Sequence, residues 1–205
     1  MTLCVNISAL KFGAHIALAT QSVTKPLPHR ILRKFVDPLV VFLAAGCWLG
    51  AIPLAALPND SRMQKWRGEA LFALVFAPLG CLMRWQLSRS FNAKVPSFPI
   101  GTFSANIFGV AILAMCYDIQ HSRAGVTAIG GVIGCQVLQG VEDGFCGCLT
   151  TVSTWMLELT TLKRRHAYRY GAISVSIALA VVVVLMGSVK WSRGYVDAAC
   201  VTETS

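Results

Sequence analysis

Acidic side chains are scarce in this chain. Nine Asp and Glu stand among 205 residues, against 18 Lys and Arg, and charged residues together make up 13%. A soluble domain carries about a quarter, so most of this surface cannot face water. Catalytic signatures are missing as well. The sequence has no G-x-S-x-G, no phosphate-binding Walker motif and no H-E-x-x-H. No Cys-x-x-Cys is present, and Cys146-x-Cys148 alone is a poor zinc signal. The four histidines, at 15, 29, 121 and 166, fall mainly in connectors or flanks, where surface positions are expected. An enzyme is not the reading these absences support.

What the chain has instead is apolar length. Hydrophobic residues make up 55%, the mean hydropathy is +0.62, and the class is all-α integral membrane protein. The net charge of +9 would suggest nucleic acid in a soluble protein. Here the cations lie mostly between apolar runs, so they read as a topology signal and no nucleic-acid partner is expected. Most of the eight cysteines sit inside apolar runs as small hydrophobes, and no disulfide framework is expected. Lys11, Phe12 and His15 interrupt the first apolar run, so it does not read as a signal peptide.

A spanning helix needs about 20 apolar residues. Asp37–Leu57, Glu69–Leu87, Phe98–Tyr117 and Tyr170–Val189 meet that need. Between the last two, Ala124–Leu162 is long enough for one crossing with a break. Its centre, GFCGCLTTVSTW (Gly144–Trp155), packs two glycines, two cysteines and four hydroxyls into an apolar region. Non-helical backbone survives at membrane depth only beside protein or a water-filled path, and interrupted helices often mark ion sites. The break is predicted near Gly144–Thr151. Residues 21–35 and 58–68 read as polar connectors, and the tail from Ser192 as polar and mobile. Alternate loops carry ten Lys and Arg against six, which puts the Lys163–His166 loop in the cytoplasm.

Several polar groups lie inside the apolar segments. Asn106, in GTFSANIFG, serves either as interhelical glue or as a pair of N–H donors for a dehydrated anion. Gly101 and Gly109 flank it and let another backbone approach. Arg84 lies deeper than Arg89 and suits a pairing role, whereas Arg89 suits snorkelling. Glu142 and Asp143 precede the break and read as structural acids, with Arg84 one partner in reach. Thr150, Thr151, Ser153 and Thr154 either bond the preceding turn or offer O–H donors in series. Tyr170 and Ser174, four apart, share a helical face.

PLGCLMRWQLSR, FPIGTFSANIFG and GFCGCLTTVSTW, in this order, resemble the three signature stretches of the Fluc (CrcB) fluoride channels. GCQVLQGVEDGFCGC, KRRHAYRYG and GSVKWSRG bring the chain nearest the fungal two-repeat fluoride exporters. The resemblance is dense over roughly residues 66–195. It implies a connecting transmembrane helix at 36–57, then a four-helix repeat at 66–191 whose third helix is broken. Residues 1–20 resemble the last helix of a first repeat, 21–35 a polar connector and 192–205 a polar tail. On that reading the chain is a fragment that lacks most of its first repeat.

The resemblance also implies roles. Asn106 matches the pore asparagine. The carbonyls of Gly147 and Thr150 match the ligands of a structural Na+. Ser153 and Thr154 match the hydroxyls of a polar track that Tyr170 and Ser174 continue, and Arg84 matches the arginine of the first motif. The family's phenylalanine pair falls on Val152 and Trp155, a departure, because valine has no ring edge to offer an anion. The implied function is a passive fluoride channel or exporter that lowers cytoplasmic fluoride, multi-pass in the plasma membrane. Its implied partners are fluoride, the lipid bilayer, and an antiparallel first repeat or second copy. An ion-coupled transporter of small solutes and a nonconducting truncated relic are the alternatives.

Overall fold

The computed structural model describes residues 2–21, 32–56, 70–122 and 132–197, and these are helical almost throughout. Helix α1 spans Thr2–Thr20. A π-helical turn, Leu32–Val36, leads into α2, Asp37–Ala56. Next come α3, Phe72–Phe91, and α4, Ile100–His121. Helix α5, Val132–Gly140, continues through a π-helical stretch, Val141–Cys146, and a last turn, Gly147–Leu149. After two extended residues the chain resumes as α6, Val152–Thr161, and ends with α7, Arg164–Arg193.

Three helices among the described residues are long and apolar enough to cross a membrane: Leu32–Ala56, Ile100–His121 and Arg164–Arg193. Helix α3 is not one of them, because Arg84, Gln86 and Arg89 occupy its second half. The expected span at Glu69–Leu87 is therefore a helix shifted toward Phe91, and Glu69 lies outside the described residues. The last helix runs 30 residues, well beyond Tyr170–Val189 at both ends. Residues 32–35, expected as connector, already belong to a helical turn.

Glycine sets the spacing of the central helices. A Cβ on Gly80 would run into the carbonyl of Phe145, and one on Gly144 into the backbone of Ala73. Helix α3 and the π-helical stretch thus meet backbone to backbone, the contact that small residues permit between membrane helices. On α4, Gly101 faces Leu87 and lies under the Ser88 backbone, and Gly109 receives the methyl of Thr150. The expected backbone approach is present at Gly101, whereas the neighbour at Gly109 is a side-chain methyl. The glycine-rich knot is consequently helical up to Leu149, and the break is confined to Thr150 and Thr151 rather than extending from Gly144.

The elements alternate in direction. The start of α4 lies beside the end of α6 and the start of α7, through Thr102, Glu158 and Tyr170. Its far end meets the π-helical stretch through Gln120 and Glu142, and the end of α7 through Asp118 and Tyr195. Gly194, at φ 69°, turns the chain so that Val196 donates to the carbonyl of His121 at 2.9 Å. Residues 194–197, expected within a mobile tail, are therefore docked on α4. Outside this core, α2 is tied to α3 by Trp48, whose Nε1 donates to the Val75 carbonyl at 3.0 Å.

Candidate functional site at the break of the fifth helix

The break is a two-residue extended segment. Thr150 has φ −77° and ψ 152°, and Thr151 has φ −151° and ψ 117°. Two extended residues inside a bundle must find partners for their backbone groups. Asn106 supplies both for Thr151. Its Oδ1 accepts from the Thr151 amide at 2.7 Å, and its Nδ2 donates to the Thr151 carbonyl at 3.3 Å. The side-chain amide acts as one rung of a neighbouring strand, and it keeps a second N–H.

This pairing has a consequence for the carbonyls upstream. A helical carbonyl is normally met by the amide four residues on. The Thr151 amide goes to Asn106, so the Gly147 carbonyl loses that donor. The Thr154 amide goes to Thr151 Oγ1 at 3.3 Å, as an N-cap, so the Thr150 carbonyl loses its donor too. Thr150 itself is anchored, with N and Oγ1 both donating to the Cys146 carbonyl at 2.9 Å. Two neutral oxygens freed in this way suit a hard monovalent cation, so the residues present fit the Na+ that the resemblance implies.

Beside the break lies a cavity of about 300 Å³, between α4, α6 and α7. Asn106, Thr150, Thr151, Trp155 and Ser174 line it, with Phe103 and Val152. Two of these carry buried polar atoms that make no hydrogen bond, Nε1 of Trp155 and Oγ of Ser174. Ser153 lies elsewhere. With Met156 and Thr160 it faces α1 across a cleft of about 190 Å³ that Asn6 and Leu10 complete. Thr154 Oγ1 accepts from Thr151 Oγ1 at 3.1 Å, so the hydroxyls form a short linked series.

Tyr170 is fully buried, and its hydroxyl donates to Glu158 Oε2 at 2.8 Å. Glu158 Oε1 accepts from Thr102 Oγ1 at 2.6 Å. Asn92 completes the group, its Oδ1 accepting from the Thr102 amide at 3.1 Å and so capping the start of α4. The sequence reading passed over Glu158 when it took Glu142 and Asp143 as the acids at membrane depth. A lone acid inside TWMLELTTL was the signal, since an ionisable group in an apolar helix marks a site until shown otherwise. Phe98 and Phe103 were also missed. Phe98 meets Tyr170 edge-on with centroids 4.9 Å apart, and Phe103 at 5.3 Å, so Phe98 supports Phe103, which lines the cavity from α4.

Glu142 and Asp143 do not pair with Arg84. Glu142 accepts from Gln120 at 2.8 Å, and Asp143 from Gln139 at 2.7 Å. Neutral amides of the same neighbourhood reach these acids, whereas Arg84 lies on α3, half-buried and without a hydrogen bond or ion pair among the described residues. Cys135 departs from the apolar role expected of the cysteines, being disulfide-bonded.

Interrupted helix, asparagine brace and apolar helices long enough to span define a multi-pass membrane protein with a polar site at a helix break. The family model described as CrcB-like protein, Camphor Resistance (CrcB), matches residues 71–188, and the chain belongs to that family. Fluoride export protein 1 of Neurospora crassa is 49% identical over 98% of this chain and 39% of its own length. Fluoride export protein 1 of Saccharomyces cerevisiae is 30% identical over 84% of this chain and 47% of its own length. The fluoride-specific ion channel FluC of Pseudomonas paraeruginosa is 31% identical over 63% of this chain and 98% of its own length. This chain therefore spans less than half of those two fungal relatives.

Proposed function

We propose that this chain forms one half of a passive fluoride channel that exports the ion across the plasma membrane. The observation that carries the reading is the braced break beside a cavity holding two buried donors without acceptors. A small anion is costly to dehydrate, and fixed N–H and O–H groups must replace its water. The free N–H of Asn106, Nε1 of Trp155 and Oγ of Ser174 are such groups, and Thr154 extends the hydroxyl track from Thr151, whereas Ser153 faces the cleft under α1 and the Tyr170 hydroxyl is held by Glu158. The ring edge of Phe103, at the cavity wall, would add partial positive charge where Val152 cannot.

Gly147 and Thr150 would hold a Na+ through their freed carbonyls. Bound there, the ion supplies positive potential and ties the two halves of the broken helix. Replacing Na+ by a large organic cation is expected to lower the melting temperature of the purified chain, with no effect of Na+ sinking this part. The second half of the channel would come from an antiparallel first repeat or a second copy, which would also offer Arg84 a counter-charge.

Fluoride efflux from proteoliposomes tests the reading. Asn106→Asp keeps the acceptor for the Thr151 amide but replaces both N–H donors with negative charge. Efflux is expected to fall by at least about tenfold, the effect of losing roughly 1.4 kcal/mol of ion stabilisation. Undiminished efflux removes Asn106 from the pathway.

A further inference from the structure

One end of the bundle carries a cluster of cations. Arg89 and Lys94 stand where α3 ends, and Lys163, Arg164, Arg165 and Arg169 where α7 begins. The contacts among Asn92, Thr102, Glu158 and Tyr170 bring these two regions to the same end. Two acids among the described residues belong to that end on the alternating course of the helices: Glu158, whose two oxygens are taken by Thr102 and Tyr170, and Asp37 in the first turn of α2, which follows Arg33 and Lys34 in sequence. None of the six cations has an ion pair among the described residues. The opposite end is different, with Lys190 and Arg193 beside Asp118, Glu142, Asp143 and Asp197.

Three further observations bear on what neutralises the cationic end. Helix α7 has 30 residues, about 45 Å at 1.5 Å each, against a hydrocarbon layer of about 30 Å. That length leaves room for its first turns, which carry the cations, to stand at headgroup level. Aromatic rings mark the same level: Arg89 lies 5.1 Å over Trp85, Lys94 lies 4.5 Å over Phe91, and Tyr168 is 76% exposed beside Arg169. Finally, the N-terminus of α7 has no side-chain cap. Four cations around it oppose the helix dipole, an arrangement that an outside anion relieves.

We propose that this end binds the headgroups of anionic phospholipids, with the phosphodiester held by Lys163, Arg164, Arg165 and Arg169 and the aromatic rings at the acyl boundary. Clustered cations next to a spanning helix attract acidic lipid in this way. The inference does not rest on fluoride conduction.

The test titrates the full chain in neutral detergent with phosphatidylserine or phosphatidylcholine and counts retained lipid by native mass spectrometry. Phosphatidylserine is expected to be retained about tenfold or more over phosphatidylcholine. The preference should disappear in K163Q/R164Q/R165Q/R169Q and persist in K190Q/R193Q. The single variants R164Q, R165Q and R169Q change exposed side chains only, and each should weaken retention severalfold if the quadruple variant fails to fold. Equal retention of the two lipids overturns the proposal, as does a preference that survives every variant. Complete displacement of phosphatidylserine by inorganic phosphate, with no effect of equal ionic strength from chloride, would assign the patch to a free anion and overturn the lipid source.

Discussion

The two halves of the interrupted helix are held in opposite ways. Before the break, backbone lies on backbone: Gly144 against Ala73, and Gly80 against the carbonyl of Phe145. After the break, side chains do the holding. Glu158 gathers Thr102 and Tyr170, Thr151 caps α6, and a cavity of about 300 Å³ stays open toward α7. A backbone contact has no rotamers to exchange and so a single geometry. A side-chain contact can be remade, because hydroxyls rotate and can donate or accept. The first half is thus the fixed reference, and the polar site opens on the half that can adjust. Asn106 stands between them and fixes the crossing residue, Thr151, to α4.

The largest effect should come from the backbone-packed half. In Gly144→Val the new side chain has no space against Ala73, and the π-helical stretch must move off α3. Overpacking typically costs about 1–3 kcal/mol and occasionally more, and a clash with backbone puts this variant toward the upper end. The expected outcome is loss of the monodisperse fraction in size-exclusion chromatography and a lower melting temperature. Gly171→Ala is the comparison on the other half. Its Cβ would sit 3.5 Å from Leu159 Cδ2 and 4.0 Å from Trp155 Cζ2, ordinary contact distances. Helix propensity favours alanine by about 1 kcal/mol, so this variant should be neutral or slightly stabilised. Equal damage from the two would end the distinction between the halves.

The same contrast explains what could be read from the chain alone. Spans and glycines were legible because hydropathy and missing side chains are local properties. Gly101 and Gly109 were expected to let another backbone approach, and Gly101 does, while Gly109 admits the methyl of Thr150. The break was legible to within a few residues from its hydroxyls and glycines, but its true position depends on packing. Gly144 reads as a helix breaker in sequence, yet it is helical because α3 needs the space its missing Cβ leaves. The partners of the acids were not legible. Only Gln139, one helical turn before Asp143, stood at a legible spacing, whereas Gln120 reaches Glu142 from another helix, 22 positions earlier. Glu158 depends on Thr102, 56 positions earlier, and on Tyr170, 12 later. Such pairs are set by how helices cross, which a single sequence does not print.

A smaller effect is expected in the side-chain-held half. Glu158→Ala leaves the buried hydroxyls of Thr102 and Tyr170 without their acceptor, at a cost of about 1–3 kcal/mol. Glu158→Gln keeps one acceptor and lets one hydroxyl reverse, so it should cost about 1 kcal/mol. A double-mutant cycle with Tyr170→Phe isolates the pair, and a coupling of about 0.5–3 kcal/mol is expected from melting curves. A coupling near zero would mean that Glu158 holds α6 through other contacts, and the adjustable half would lose its main fastening.

The smallest effect on stability, and the most informative, belongs to Trp155→Phe. An indole N–H is a donor only, and here it is buried without an acceptor, which costs about 1–3 kcal/mol. Phenylalanine removes the donor and keeps most of the ring. The loss of packing against Gly171 and the gain from deleting an orphan donor therefore oppose each other, and the melting temperature should change little. Efflux of fluoride separates the explanations. If the N–H waits for the ion, efflux falls in this variant while stability holds. A clear drop in stability would instead mean that the lost ring packing outweighs the gain from deleting the orphan donor. Unchanged stability with unchanged efflux would leave Trp155 as a wall of the cavity, and the donor set for the anion would shrink to Asn106 and Ser174.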